Sequence, residues 1–104
     1  MMDTGLNIDT TSKICSIFKN FPQVEQAILY GSRAMGTFKP GSDIDITLLG
    51  QELTQDLIWK IAQALEDTLL PYVIDLSLFD TLDNTELIEH ISRVGIVFYR
   101  ADFE

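Results

Sequence analysis

Leu29-Tyr30-Gly31-Ser32-Arg33-Ala34-Met35-Gly36, followed by Ser42-Asp43-Ile44-Asp45-Ile46, is the stretch on which the reading of this chain turns. Residues 24–30 lead into it as a strand, and 31–36 read as a tight turn opening a short helix. Lys39-Pro40-Gly41-Ser42 then places Pro and Gly where a type II turn wants them. The next strand, 43–49, alternates cleanly: Asp43, Asp45 and Thr47 on one face, Ile44, Ile46 and Leu48 on the other. A further strand over 72–79 sets Asp75 and Ser77 opposite Ile74, Leu76 and Leu78.

Three aspartates therefore project from the polar faces of two strands whose other faces are apolar. Asp43 and Asp45, two residues apart on one strand, point the same way with Cα atoms roughly 6–7 Å apart. Carboxylates are hard oxygen ligands suited to Mg²⁺, which keeps waters and takes its remaining ligands from phosphates. Three like charges gathered together repel, and a cation is the natural resolution of the cluster. Gly31-Ser32 offers a phosphate close backbone approach, exposed amides and a hydroxyl, and Arg33 adds a forked cation. Gly-Ser alone says nothing, and Asp-x-Asp little more. Their joint occurrence at this spacing is expected by chance in about one protein of this length in several hundred.

Outward from this stretch the chain reads as alternating short elements. A helix over 10–20 carries Ile14, Ile17 and Phe18 on one face. Another over 54–70 is capped by Thr54 and carries Leu57, Ile61, Leu65 and Thr68 on a stripe. A last helix begins at Asp83, spaced from Glu86 as in a capping box, and ends at Gly95 before a short strand over 96–99. Helices interspersed with three or four strands imply a layered α/β or α+β fold with a small mixed sheet.

The 104 residues, 46% hydrophobic and 22% charged, are expected to form one domain spanning 1–104. No run of the residues AVILMFWYC exceeds four, and the N-terminus lacks the pattern of a signal peptide, so a cytoplasmic protein without membrane association is expected. One cysteine and one histidine cannot build a Cys/His zinc site. Seven Lys+Arg against sixteen Asp+Glu give a net charge of −9, which repels a phosphate backbone and argues against direct nucleic-acid binding.

The quoted motifs resemble the DNA polymerase β-like nucleotidyltransferase superfamily, and more narrowly the minimal nucleotidyltransferases. The likeness runs from the first strand through Asp75 to Ile88-Glu89-His90-Ile91 and Gly95-Ile96-Val97-Phe98-Tyr99. It implies that the residues matching Asp43 and Asp45 bind two Mg²⁺ ions, that Asp75 completes the site and activates the attacking hydroxyl, and that Gly31 and Ser32 hold the triphosphate. The family's helix commonly reads Gly-Ser-Arg-Ala-Arg-Gly; Met35 stands at the second arginine.

Minimal members of the family are commonly encoded beside an all-helical HEPN protein. The resemblance implies transfer of AMP from ATP to a tyrosine of that toxin, with this chain as antitoxin in a hetero-oligomer. Two rivals stand beside it: an antitoxin that binds its toxin stoichiometrically without chemistry, and a nucleotidyltransferase for a small hydroxylated molecule working with a separate helical subunit. Trp59, opposite the apolar stripe of its helix, reads either as an interface anchor or as covered by Phe98, Tyr99 and Phe103. His90 borders an apolar face and reads as structural; Tyr30 and Met35 read equally as nucleotide-lining or as packing.

Overall fold

The protein is described by a computed structural model over residues 4–101. In chain order the elements are α1 (Ile8–Lys19), β1 (Gln26–Tyr30), α2 (Ser32–Met35), β2 (Ile44–Leu49), α3 (Gln55–Glu66), β3 (Ile74–Leu78), a 3₁₀ turn (Phe79–Thr81), α4 (Thr85–Val94) and β4 (Ile96–Arg100). The four strands form one mixed sheet in the order β3-β2-β1-β4. β1 runs antiparallel to both β2 and β4, whereas β2 and β3 are parallel. This is the small α+β architecture that the alternating pattern implies.

The parallel pair requires a crossover, which α3 supplies. Thr54 caps it as expected, its side chain accepting from Leu57 N at 3.2 Å. Ile58, Ile61 and Leu65 form its buried face, and Leu57 packs partly buried against the same core. The helix stops at Glu66, short of residue 70, because the chain tightens into three-residue turns, Thr68 N to Leu65 O and Leu69 N to Glu66 O. Leu69 then takes a left-handed φ of 56°, and Pro71 forbids continuation.

Local chemistry likewise sets the other ends. Asn7 caps α1, accepting from Thr10 N at 2.8 Å, so that helix begins before residue 10 and buries Thr10, Ile14 and Phe18 at four-residue intervals. Asn84, not Asp83, caps α4 through Leu87 N at 3.1 Å. The turn over 39–42 closes as the sequence suggests, with Ser42 N bonded to Lys39 O at 2.9 Å and Gly41 at a φ of 86°.

The sheet's two faces differ sharply. On one, Ala27 and Leu29 of β1 lie beside Leu48 and Ile46 of β2, which also adjoin Leu78 and Leu76 of β3. With Ile14 and Phe18 of α1 and Ile58, Ile61 and Leu65 of α3 they make the main core. On the other, the same alternation aligns Tyr30, Asp45 and Asp75 across three adjacent strands, and Ile28, Thr47 and Ser77 below them. Ile46, without solvent exposure in the inner strand β2, tests this division. Ile46→Ala is expected to lower the unfolding free energy by about 2–5 kcal/mol, read from urea denaturation.

Candidate active site

Asp45 occupies the middle of the polar face. It pairs in register with Tyr30 on one side and Asp75 on the other. Asp43, immediately ahead of β2, lies two residues from it on the same alternation. Asp43 and Asp75 are exposed and Asp45 half-buried. Burial pushes the Asp45 carboxyl above its usual range; the charges of Asp75 and then Asp43 push it further, while His90 works in the opposite direction. The three carboxylates thus lie within electrostatic reach of one another.

The turn at Gly31 closes over this group. Gly31 has a φ of 76° and ψ of −157°, a conformation essentially reserved for glycine. A Cβ there would collide with Asp45 Oδ2, so the glycine is required by both conformation and contact. Its carbonyl accepts from Ala34 N and Met35 N, each at 3.1 Å, opening α2. Gly36, left-handed at φ 78°, ends that helix. Ser32 begins α2 beside the carboxylates, and Met35, 46% exposed, points its apolar side chain partly to solvent.

Arg33 takes a different place from the phosphate-binding one its sequence position suggests. Its side chain is 2% exposed. Nε and Nη2 donate to Ser42 O at 3.1 and 2.8 Å, and Nη1 donates to Thr4 O at 2.9 Å. The guanidinium lies over the rings of Phe38 and Tyr72, at 5.2 and 5.1 Å from their centroids. A buried fork so engaged is a strut: it clamps the carbonyl just ahead of Asp43. Because an ammonium cannot reproduce this geometry, Arg33→Lys is expected to lower stability by about 2 kcal/mol, measured by chemical denaturation.

Two residues join the site that sequence reasoning read as packing or left open. Tyr30 is buried, and that burial, with the charges of Asp75 and Asp45, raises its phenol above the ordinary tyrosine value. His90 of α4 stands edge-on to Tyr30, ring centroids 6.2 Å apart at 81°, and its Nε2 accepts a hydrogen bond from Gly31 N at 3.2 Å. The available signal was a lone histidine flanking the stripe of Leu87, Ile91 and Val94. Trp59 is 65% exposed, so Phe98 and Tyr99 do not cover it; Phe103 lies outside the described residues.

The donor set suits a divalent cation: hard oxygens only, on one face and in register, with like-charge repulsion that a cation would relieve. Among the described residues, no three acidic, histidine or cysteine side chains are drawn together into a finished metal cage. The aspartates therefore share a face and a register, not a closed coordination sphere.

A sequence model of the family described as Polymerase beta, Nucleotidyltransferase matches residues 12–104. The chain belongs to that family of nucleotidyltransferases. Among solved structures it is similar to a chain of a toxin–antitoxin complex with AMP-PNP, at 27% identity and a TM-score of 0.70, covering 88% of this chain and 73% of that one. It is similar also to a chain of a mutant MntA toxin–antitoxin complex, at 26% identity and a TM-score of 0.71, covering 92% and 75%. A third neighbour, from the complex of a tri-AMPylated Shewanella oneidensis HEPN toxin with MNT antitoxin, is 24% identical with a TM-score of 0.64, covering 88% and 71%. Comparison with curated proteins gives no match. Among the described residues, no helix is long and apolar enough to cross a membrane.

The raised Asp45 carboxyl has a consequence for stability. A group whose folded pKa lies above its unfolded value favours the folded state below the unfolded pKa, and that advantage is lost as pH rises through the folded pKa. In metal-free buffer, Asp45→Asn is expected to raise the denaturation midpoint at pH 7. The gain should shrink on acidification and vanish below about pH 4, near the unfolded aspartate value, as urea titrations across pH would record.

Proposed function

We propose that this chain is a Mg²⁺-dependent nucleotidyltransferase that moves AMP from ATP onto a tyrosine hydroxyl of a HEPN-domain toxin. By silencing an all-helical RNase in this way it acts as the antitoxin of a type VII-like pair. The observation that carries the reading is the alignment of Asp45 with Asp75, with Gly31 held directly against the Asp45 carboxylate. The similarity to toxin–antitoxin chains, one complex holding AMP-PNP and another a tri-AMPylated HEPN toxin, supports the choice of donor and partner.

In this reading Gly31 and Ser32 hold the triphosphate beside the Asp45 carboxylate, which a Cβ at residue 31 would strike. Asp43 and Asp45, with Asp75, would hold two Mg²⁺ ions, which neutralise charge on the phosphates and acidify the acceptor hydroxyl when bound. Asp75 orients that hydroxyl and takes its proton as the oxygen bonds to the α-phosphorus and the bond to pyrophosphate breaks. Asp75 suits this task because it is exposed on a strand at the sheet's edge, open to a protein surface. Arg33 acts behind the site by fixing the approach to Asp43. The net charge of −9 favours docking on a basic, RNA-handling partner.

With ATP labelled at the α-phosphate, Mg²⁺ and the HEPN partner, label is expected on a tyrosine of that partner. Asp43→Asn and Asp45→Asn should each reduce it roughly a hundredfold or more. Antitoxin action that survives both substitutions would sink the enzymatic reading and leave a stoichiometric antitoxin. Label appearing on a small hydroxylated molecule instead of the protein would redirect the acceptor.

A further inference from the structure

A single hydrogen bond joins two parts of the chain that are remote in sequence, the Gly31 turn and the middle of α4. The Gly31 N–H donates to His90 Nε2 at 3.2 Å. We infer that His90 is a positioning residue for the nucleotide: acting through the Gly31 amide, it holds the phosphate-binding turn in its working orientation. The inference rests on the nucleotidyltransferase reading of the site.

The turn needs such a restraint. Glycine loses more conformational freedom on ordering than any other residue, and Gly31 supplies no side-chain cap to the start of α2. Its carbonyl is fixed from within α2 by Ala34 N and Met35 N. The N–H has its partner in α4. With both peptide groups held, the Cα is kept against Asp45, where only a glycine fits. A small rotation of this residue would move the turn relative to the carboxylates.

His90 is itself well placed to be rigid. The neighbouring Ile91 is buried, and the imidazole packs edge-on against Tyr30, the residue that precedes the turn. Accepting through Nε2 requires the neutral ring with its proton on Nδ1. A phenyl ring would fill the same space and keep the contact with Tyr30, yet could accept nothing from Gly31. The amide oxygen of a glutamine, as many bonds from Cβ as Nε2, could accept again. These two substitutions separate packing from positioning.

The full chain is titrated with AMP-PNP and Mg²⁺ as wild type, His90→Phe and His90→Gln, and exchange of the Gly31 amide proton is followed by NMR without nucleotide. His90→Phe is expected to weaken AMP-PNP binding by about three- to tenfold and to speed Gly31 exchange. His90→Gln should recover binding to within about twofold and restore protection. Wild-type affinity in His90→Phe, or no recovery in His90→Gln, would overturn the inference, as would Gly31 exchange indifferent to residue 90. Failure of label to reach the partner, with these binding and exchange differences intact, would count against protein AMPylation and leave the positioning role standing.

Discussion

The candidate site depends on the buried guanidinium of Arg33. Its two bonds to Ser42 O fix the residue just before Asp43, and its contact with Tyr72 fixes the segment that leads into β3 and Asp75. One cation thereby sets the entry of both acid-bearing strands. Its surroundings explain why an arginine is needed. Carbonyl oxygens converge from two directions and two ring faces lie against the guanidinium, and only a planar, multiply donating cation meets all of them. The burial is tolerable because the charge stays hydrogen-bonded.

Against this scaffold the carboxylates are held in mutual repulsion. β2 serves the core with Ile44, Ile46 and Leu48 and the site with Asp45, so the acid cannot withdraw without dislocating that inner strand. The rise of the Asp45 carboxyl, owed first to its burial and then to the charges of Asp75 and Asp43, is the free-energy signature of that compulsion. Repulsion that weakens the free protein becomes affinity for whatever positive charge enters, a common arrangement in functional sites. The Gly31 turn and His90 stand on the other side of the same carboxylate.

Much of this was legible in the sequence because strand alternation is a strong local signal. The alternation over 43–49 and 72–79 identified the polar face that carries Asp43, Asp45 and Asp75, and the Gly-Ser turn was recognisable from residue types alone. Arg33 was misplaced for a physical reason: an arginine in a polar turn ordinarily faces water or a ligand, and nothing local reveals that Phe38, Tyr72 and two distant carbonyls will enclose it. His90 escaped for the same reason, since its partner is a backbone amide on another element. Helix ends shifted where competing caps were adjacent, as with Asp83 and Asn84, and where Leu69 turned left-handed ahead of Pro71. The acceptor's identity has no comparable trace in the described chain.

The parallel pairing of β2 with β3 also bears on how the protein comes into being. Tyr30 and Asp45 meet across an antiparallel pair that a local connection suffices to form, whereas Asp75 reaches Asp45 only after α3 has crossed the sheet. Non-local parallel pairing is entropically demanding and slow to close. A chain emerging from the ribosome therefore presents its Gly31 turn and Asp45 well before Asp75. His90, on α4, is delivered later still. Assembly of the site thus waits on β3 and α4, so chains in which these have yet to fold lack the full cluster.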